Sequence, residues 1–158
     1  MSFAAEIHRF SVRSILIGIA AALFCVAGGC TSVDPNKPVR IDEFDYTSVV
    51  NNHLTLEDFV LHLEASGIKV KQIQPVRADV VRATEALAVM IGNDEIGVYY
   101  FNTDVEQQRK IIAKYHEDGF VYILGFRFPV FMAGSYVLLG VEKHPQKKEI
   151  VKALRSFK

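Results

Sequence analysis

Five His and two Cys are the side chains with the readiest chemistry in this 158-residue chain. Asp58 and His62 are four apart, a spacing that puts a carboxylate and an imidazole on one helix face, as in the orienting pair of a general base. That face runs opposite Leu56, Phe59 and Leu63, so the expectation is a solvated surface pair. His53 would add a third ligand only if the chain before the helix folds back. His116, Glu117 and Asp118 are consecutive, and adjacent helical positions diverge by about 100°, so they do not converge on one ion. A polar helix end before Gly119 is the expected reading. His144 precedes Pro145, a cap or loop position. No H-E-x-x-H, G-x-S-x-G, Walker loop or G-x-G-x-x-G occurs, so the sequence assigns no catalytic residue, no metal site and no cofactor.

Two non-covalent features remain. Lys147, Lys148, Lys152 and Arg155, joined by Lys143 and Lys158 and opposed by Glu142 and Glu149, form a basic stripe near the C-terminus. Such a stripe suits anionic headgroups or an acidic partner, although it also describes an ordinary solvated helix face. Tyr99, Tyr100, Phe101, Phe120, Tyr122, Phe126, Phe128, Phe131 and Tyr136 are the second feature. Most belong in a core, and those on a sheet face turned away from the helices would form an apolar contact surface.

The elements that place these residues follow from periodicity. Half the residues are apolar, and 18 basic side chains balance 18 acidic ones, a composition that excludes disorder and disfavours a nucleic-acid partner. Leu56, Phe59, Val60 and Leu63 trace a helix face that Thr55 caps, with Asp58 three residues on, and that Gly67 ends. Ile68 to Gln74 reads as a strand ending at Pro75, while Val76 to Ala83 is open between a short helix and a crossing loop. Ala86 to Ile91 and Ile96 to Phe101 flank the turn formers 92–95 as a hairpin. Thr103 and Glu106 predict a capping box for a second helix, with Val105, Gln108, Ile112 and Tyr115 facing inward and Glu106 paired with Lys110. Phe120 to Phe126 and Tyr136 to Val141 are strand runs, with a less regular Arg127 to Ser135 between them. A closing helix opens with Pro145 in its first turn and buries Ile150, Val151, Leu154 and Phe157. The order α-β-β-β-α-β-β-α predicts an α+β two-layer sandwich, with a mainly antiparallel sheet of about five strands and three helices after an N-terminal signal helix.

From Ser14 to Val33 no side chain is charged, and Arg9 and Arg13 precede that stretch, giving the basic and apolar regions of a signal peptide. This segment supplies part of the mean hydropathy of +0.18. The run Val26-Ala27-Gly28-Gly29-Cys30 resembles the lipobox of bacterial lipoprotein precursors, with Ala27 where Leu is usual. The resemblance implies cleavage between Gly29 and Cys30 by signal peptidase II, with diacylglyceryl on the Cys30 sulfur and an acylated amine. Thr31 after it, where Asp would retain the protein at the inner membrane, implies the periplasmic face of the outer membrane in a Gram-negative cell. With Cys25 removed and Cys30 lipidated, no thiol remains for a disulfide or a zinc site. The expected organisation is a signal peptide at 1–29, a lipidated Cys and Pro-punctuated tether at 30–52, and an α+β domain at 53–158.

Leu56, Phe59, Leu63 and Gly67 follow an L-x-x-F-x-x-x-L-x-x-x-G pattern, and Phe131 to Gly140 forms an aromatic–Gly–apolar strand before the last helix. Over Leu56 to Phe157 the chain is similar to small uncharacterised bacterial lipoproteins, a likeness that implies no activity. The expected function is a lipid-anchored, non-catalytic binding or assembly module of the cell envelope, with membrane lipid as partner through Cys30 and an envelope protein or anionic partner besides. The alternative is an envelope hydrolase whose His and carboxylates meet only in the fold. A third reading keeps the N-terminal helix as an uncleaved inner-membrane anchor.

Overall fold

The computed structural model describes residues 48–158; residues 1–47, with the expected signal segment and Cys30, lie outside the described residues. Thr55 and Asp58 close a full capping box at the start of α1 (Leu56–Ala65), each side chain bonding the other's backbone N–H. Two orphan donors of the first turn are thereby satisfied. Strands β1 (Val70–Pro75), β2 (Glu85–Ile91) and β3 (Asp94–Tyr100) follow, with a short 3-10 turn, Asp79–Val81, filling the stretch that the sequence left open. Then come α2 (Glu106–Asp118), β4 (Phe120–Ile123), β5 (Phe126–Pro129), β6 (Phe131–Ala133), β7 (Tyr136–Leu139) and α3 (Lys147–Ser156).

Five strands form one antiparallel sheet in the order β1-β2-β3-β7-β6, while β4 and β5 pair only with each other. The α+β class, the three helices and the five-stranded antiparallel sheet are those the periodicities predict. Strand alternation sends Leu87, Val89, Ile91, Ile96, Val98, Tyr136 and Leu138 to one face, where they pack with Phe59, Leu63, Ile150, Leu154 and Phe157 of α1 and the α3 region. Each such side chain contributes roughly 1.5–3 kcal/mol on burial. Phe59, Tyr136 and Phe157 meet with ring centroids 5.0–5.7 Å apart. Burial pushes the Tyr136 phenol up from its ordinary range, and its hydroxyl donates to the Leu54 carbonyl.

The other face was expected to be open. Instead, Ala86, Tyr99, Val137 and Leu139 lie under Ile112 of α2 and Val121 of β4. A second core of that composition is what the near-continuous apolar runs of β2 and β7 require, since alternation would otherwise leave half of each run in water. Tyr99 and Phe101 are accordingly buried.

Three local expectations are corrected. The run Phe120 to Phe126 is not one strand. Leu124 and Gly125 have φ of 50° and 84°, and the chain reverses between Ile123 and Phe126 as a two-residue hairpin. The capping box of α2 is also absent: Val105 holds the N-cap position without a side-chain cap bond, and it is exposed. Thr103 has been drawn elsewhere, its Oγ1 3.0 Å from Ser135 Oγ. Finally, α3 begins at Lys147, leaving Pro145 in the preceding turn, where His144 Nδ1 accepts from Gln146 N. The Glu106–Lys110 ion pair forms at 2.7 Å, although its exposure limits it to about 0.5 kcal/mol.

The β6–β7 turn sets a tight constraint. Gly134 has φ of 57°, and a Cβ there would strike Asn51 Oδ1 and lie 2.6 Å from the Val49 carbonyl oxygen. Gly134→Ala is expected to lower stability by about 3 kcal/mol, combining left-handed strain with overpacking. A urea-denaturation midpoint unchanged from wild type would contradict this account of the turn.

Candidate functional site

The most polar interior feature lies where the chain enters the domain. Val49 and Asn51, which the sequence reading placed in the tether, are buried, so packing begins upstream of His53. Asn51 Nδ2 donates to the carbonyls of Ala133 (3.2 Å) and Phe157 (3.0 Å), and its Oδ1 accepts from Ser135 N at 2.8 Å. Asn52 Oδ1 accepts from Tyr100 Oη, Thr103 N and Ser135 Oγ at 2.9–3.1 Å. Its Nδ2 donates to Asp104 Oδ2 at 2.8 Å. Around these groups lies an open cleft of about 330 Å³, walled by Val49, Thr103, Arg109, Ile112 and Ser135. Arg109 donates to the Thr103 and Asp104 carbonyls. The amides are committed to protein partners, so the network acts as a clamp on residues 49–54.

Sequence reasoning missed this clamp. Two adjacent Asn after two Val and ahead of a capped helix are the only local signal, and their partners stand up to 106 residues away.

Among the described residues the histidines do not assemble as a general base would need. Asp58 Oδ2 accepts from Thr55 N and Oγ1, and those hydrogen bonds hold its carboxyl below the ordinary range. His62 is not solvated as expected. Half-buried against the Phe157 ring, it brings Nε2 to 3.0 Å from both the Ala153 carbonyl and Ser156 Oγ. A carbonyl only accepts, so Nε2 carries the proton there, whereas a base acting on Ser156 needs its lone pair at that position. Ser156 in turn donates to Ala153 O. His144 is buried between Ile91 O and Gln146 N, the loop-and-cap role expected of it. His53 and His116 are exposed, on the loop before α1 and in the last turn of α2. Among the described residues no three His, Cys, Asp or Glu are grouped to hold a metal ion.

The basic stripe falls on α3. Lys147, Lys148 and Lys152 are exposed and Arg155 is half-buried, while Ile150, Ala153 and Leu154 face the core. Helical geometry gathers Lys148, Lys152 and Arg155 within an arc of about 60°. Lys147 Nζ stands 5.1 Å from the centre of the Phe131 ring. Gly29 and Cys30 lie outside the described residues.

No protein-family model matches the chain, and no curated protein and no solved structure matches it. Among the described residues, no helix is long and apolar enough to cross a membrane.

Proposed function

We propose that this chain is a bacterial envelope lipoprotein, tethered by acylated Cys30 and serving as a non-catalytic binding or assembly module. The run Val26-Ala27-Gly28-Gly29-Cys30 behind an uncharged segment is the observation that carries the reading. Two or more acyl chains give effectively permanent attachment, since each buried CH₂ contributes about 0.8 kcal/mol and one chain alone binds marginally. The clamp at Asn51 and Asn52 supports it, because a tethered body needs a firm junction between tether and fold. Mass spectrometry of the N-terminal peptide tests it: an acylated Cys30 terminus is expected, with the precursor appearing when signal peptidase II is inhibited. An unmodified Cys30 within an intact N-terminus overturns it.

The exposed cations of α3 are the contact for an anionic partner. Reversing Lys148 and Lys152 to Glu is expected to reduce salt-sensitive partner recovery from detergent-solubilised envelopes about fivefold, roughly 1 kcal/mol, with anchoring unchanged. Undiminished recovery discards the basic face as the contact.

A further inference from the structure

We infer that the β4–β5 hairpin is a finger that enters the outer layer of a lipid bilayer. Exposure is greatest at the turn: Val121 is 6% exposed, Phe128 36%, Tyr122 60%, Phe126 70% and Leu124 94%, while Ile123 is half-buried against the second core. The register pairs Tyr122 with Arg127 on one face and Ile123 with Phe126 on the other, so the exposed apolar part is the turn itself, Leu124 with Phe126 beside it. The turn at Leu124 and Gly125 presents apolar atoms where a soluble hairpin would carry Asn-Gly or Asp-Gly.

Charge is arranged to match. From Phe120 to Phe131 the only ionised side chain is Arg127, which stacks 3.9 Å from the centre of the Phe120 ring, near the hairpin base. The groove beside that base is lined by Arg82, Lys114 and Tyr122; Asp118, 3.5 Å from Lys114, is its one carboxylate. Cations and a Tyr ring ahead of a Leu and Phe tip reproduce the layering of headgroups over acyl chains. Each strand has four residues, about 13 Å, and interfacial segments bury about 5–10 Å, so the turn with Leu124 and Phe126 is the part that enters. Proximity of the bilayer rests on the lipid-anchor reading. Eighteen residue steps separate Cys30 from Ser48 and reach at most about 60 Å, against a body roughly 35 Å across, so every point of the domain can touch the membrane. The hairpin packs with α2 on the sheet face opposite α3, so an inserted finger leaves the basic stripe to other contacts.

The chain has no Trp, so Leu124→Trp installs a single reporter in the full-length protein, with Glu64→Trp on the exposed side of α1 as control. Both are reconstituted in phosphatidylethanolamine–phosphatidylglycerol vesicles, with and without brominated acyl chains, and the Cys30 peptide of each sample is weighed. The expected result is blue-shifted emission at position 124, quenched at least about twofold by brominated lipid, with position 64 unquenched. Emission at position 124 that brominated lipid does not quench overturns the inference; if that emission is also concentration-dependent and blue-shifted, the finger's occupant is a second copy of the chain. Equal quenching at both positions also overturns it, since the finger is then not the part that enters. Quenching confined to position 124 with an unmodified Cys30 upholds the finger and removes the anchor; an acylated Cys30 with position 124 in water does the reverse.

Discussion

Cys30→Ser is expected to abolish processing, leaving residues 1–29 on the chain and no acyl mass on the N-terminal peptide. Thioether formation needs sulfur as the nucleophile, and a Ser hydroxyl, far less acidic than a thiol, does not replace it. Membrane association is the wrong readout, because the uncharged stretch Ser14 to Val33 can itself hold a precursor to the bilayer. The discriminating measurement is the mass of the N-terminal peptide together with release by alkaline wash. A wild-type chain that already begins at Met1 with an unmodified Cys30 would favour the uncleaved-helix reading. A variant processed like wild type would remove Cys30 from the mechanism altogether.

Asn51→Ala is expected to cost about 3 kcal/mol, the largest loss among the polar positions, and to lower the melting temperature by roughly 10–15 °C. The side chain is 1% exposed, and its loss strands the N–H of Ser135 and two carbonyls, those of Ala133 and Phe157. Those three groups join the entering chain to the β6–β7 turn and to the end of α3, so the effect combines unsatisfied polar groups with a loosened junction. Asn52→Ala should cost less, because Asn52 is only partly buried and water can reach its partners. Equal melting temperatures for Asn51→Ala and wild type would show that the clamp contributes nothing to stability. If instead the two Asn variants are equally destabilised, burial is not what sets the difference.

Some of this protein is written in short stretches of chain. The Thr55–Asp58 capping box, the hairpin around Gly92 and the Glu106–Lys110 pair each need only residues within a few positions, and each is present. The apolar periods of α1, α2 and α3 likewise select the buried face without knowledge of a partner, because a helix stripe must be covered by something. The proposed lipobox is a reading of the same kind, since a leader read by a processing enzyme acts before the chain has folded.

What only the tertiary structure decided turns on partners distant in sequence. Thr103 has the residue type and spacing of a cap, yet Ser135, 32 residues on, takes its hydroxyl, and a cap worth about 1 kcal/mol yields to a network of partly buried bonds. His62 lies on the expected side of α1, but α3, 91 residues later, packs there and turns a surface imidazole into a helix–helix link. Both sheet faces are covered because apolar strand runs cannot leave alternate residues in water, and α2 with β4 is the layer long enough to reach them. Turn, cap and amphipathic face are energies of neighbours in the chain; which layer meets which, and which polar groups are thereby enclosed, depends on the packing of the whole sheet at once.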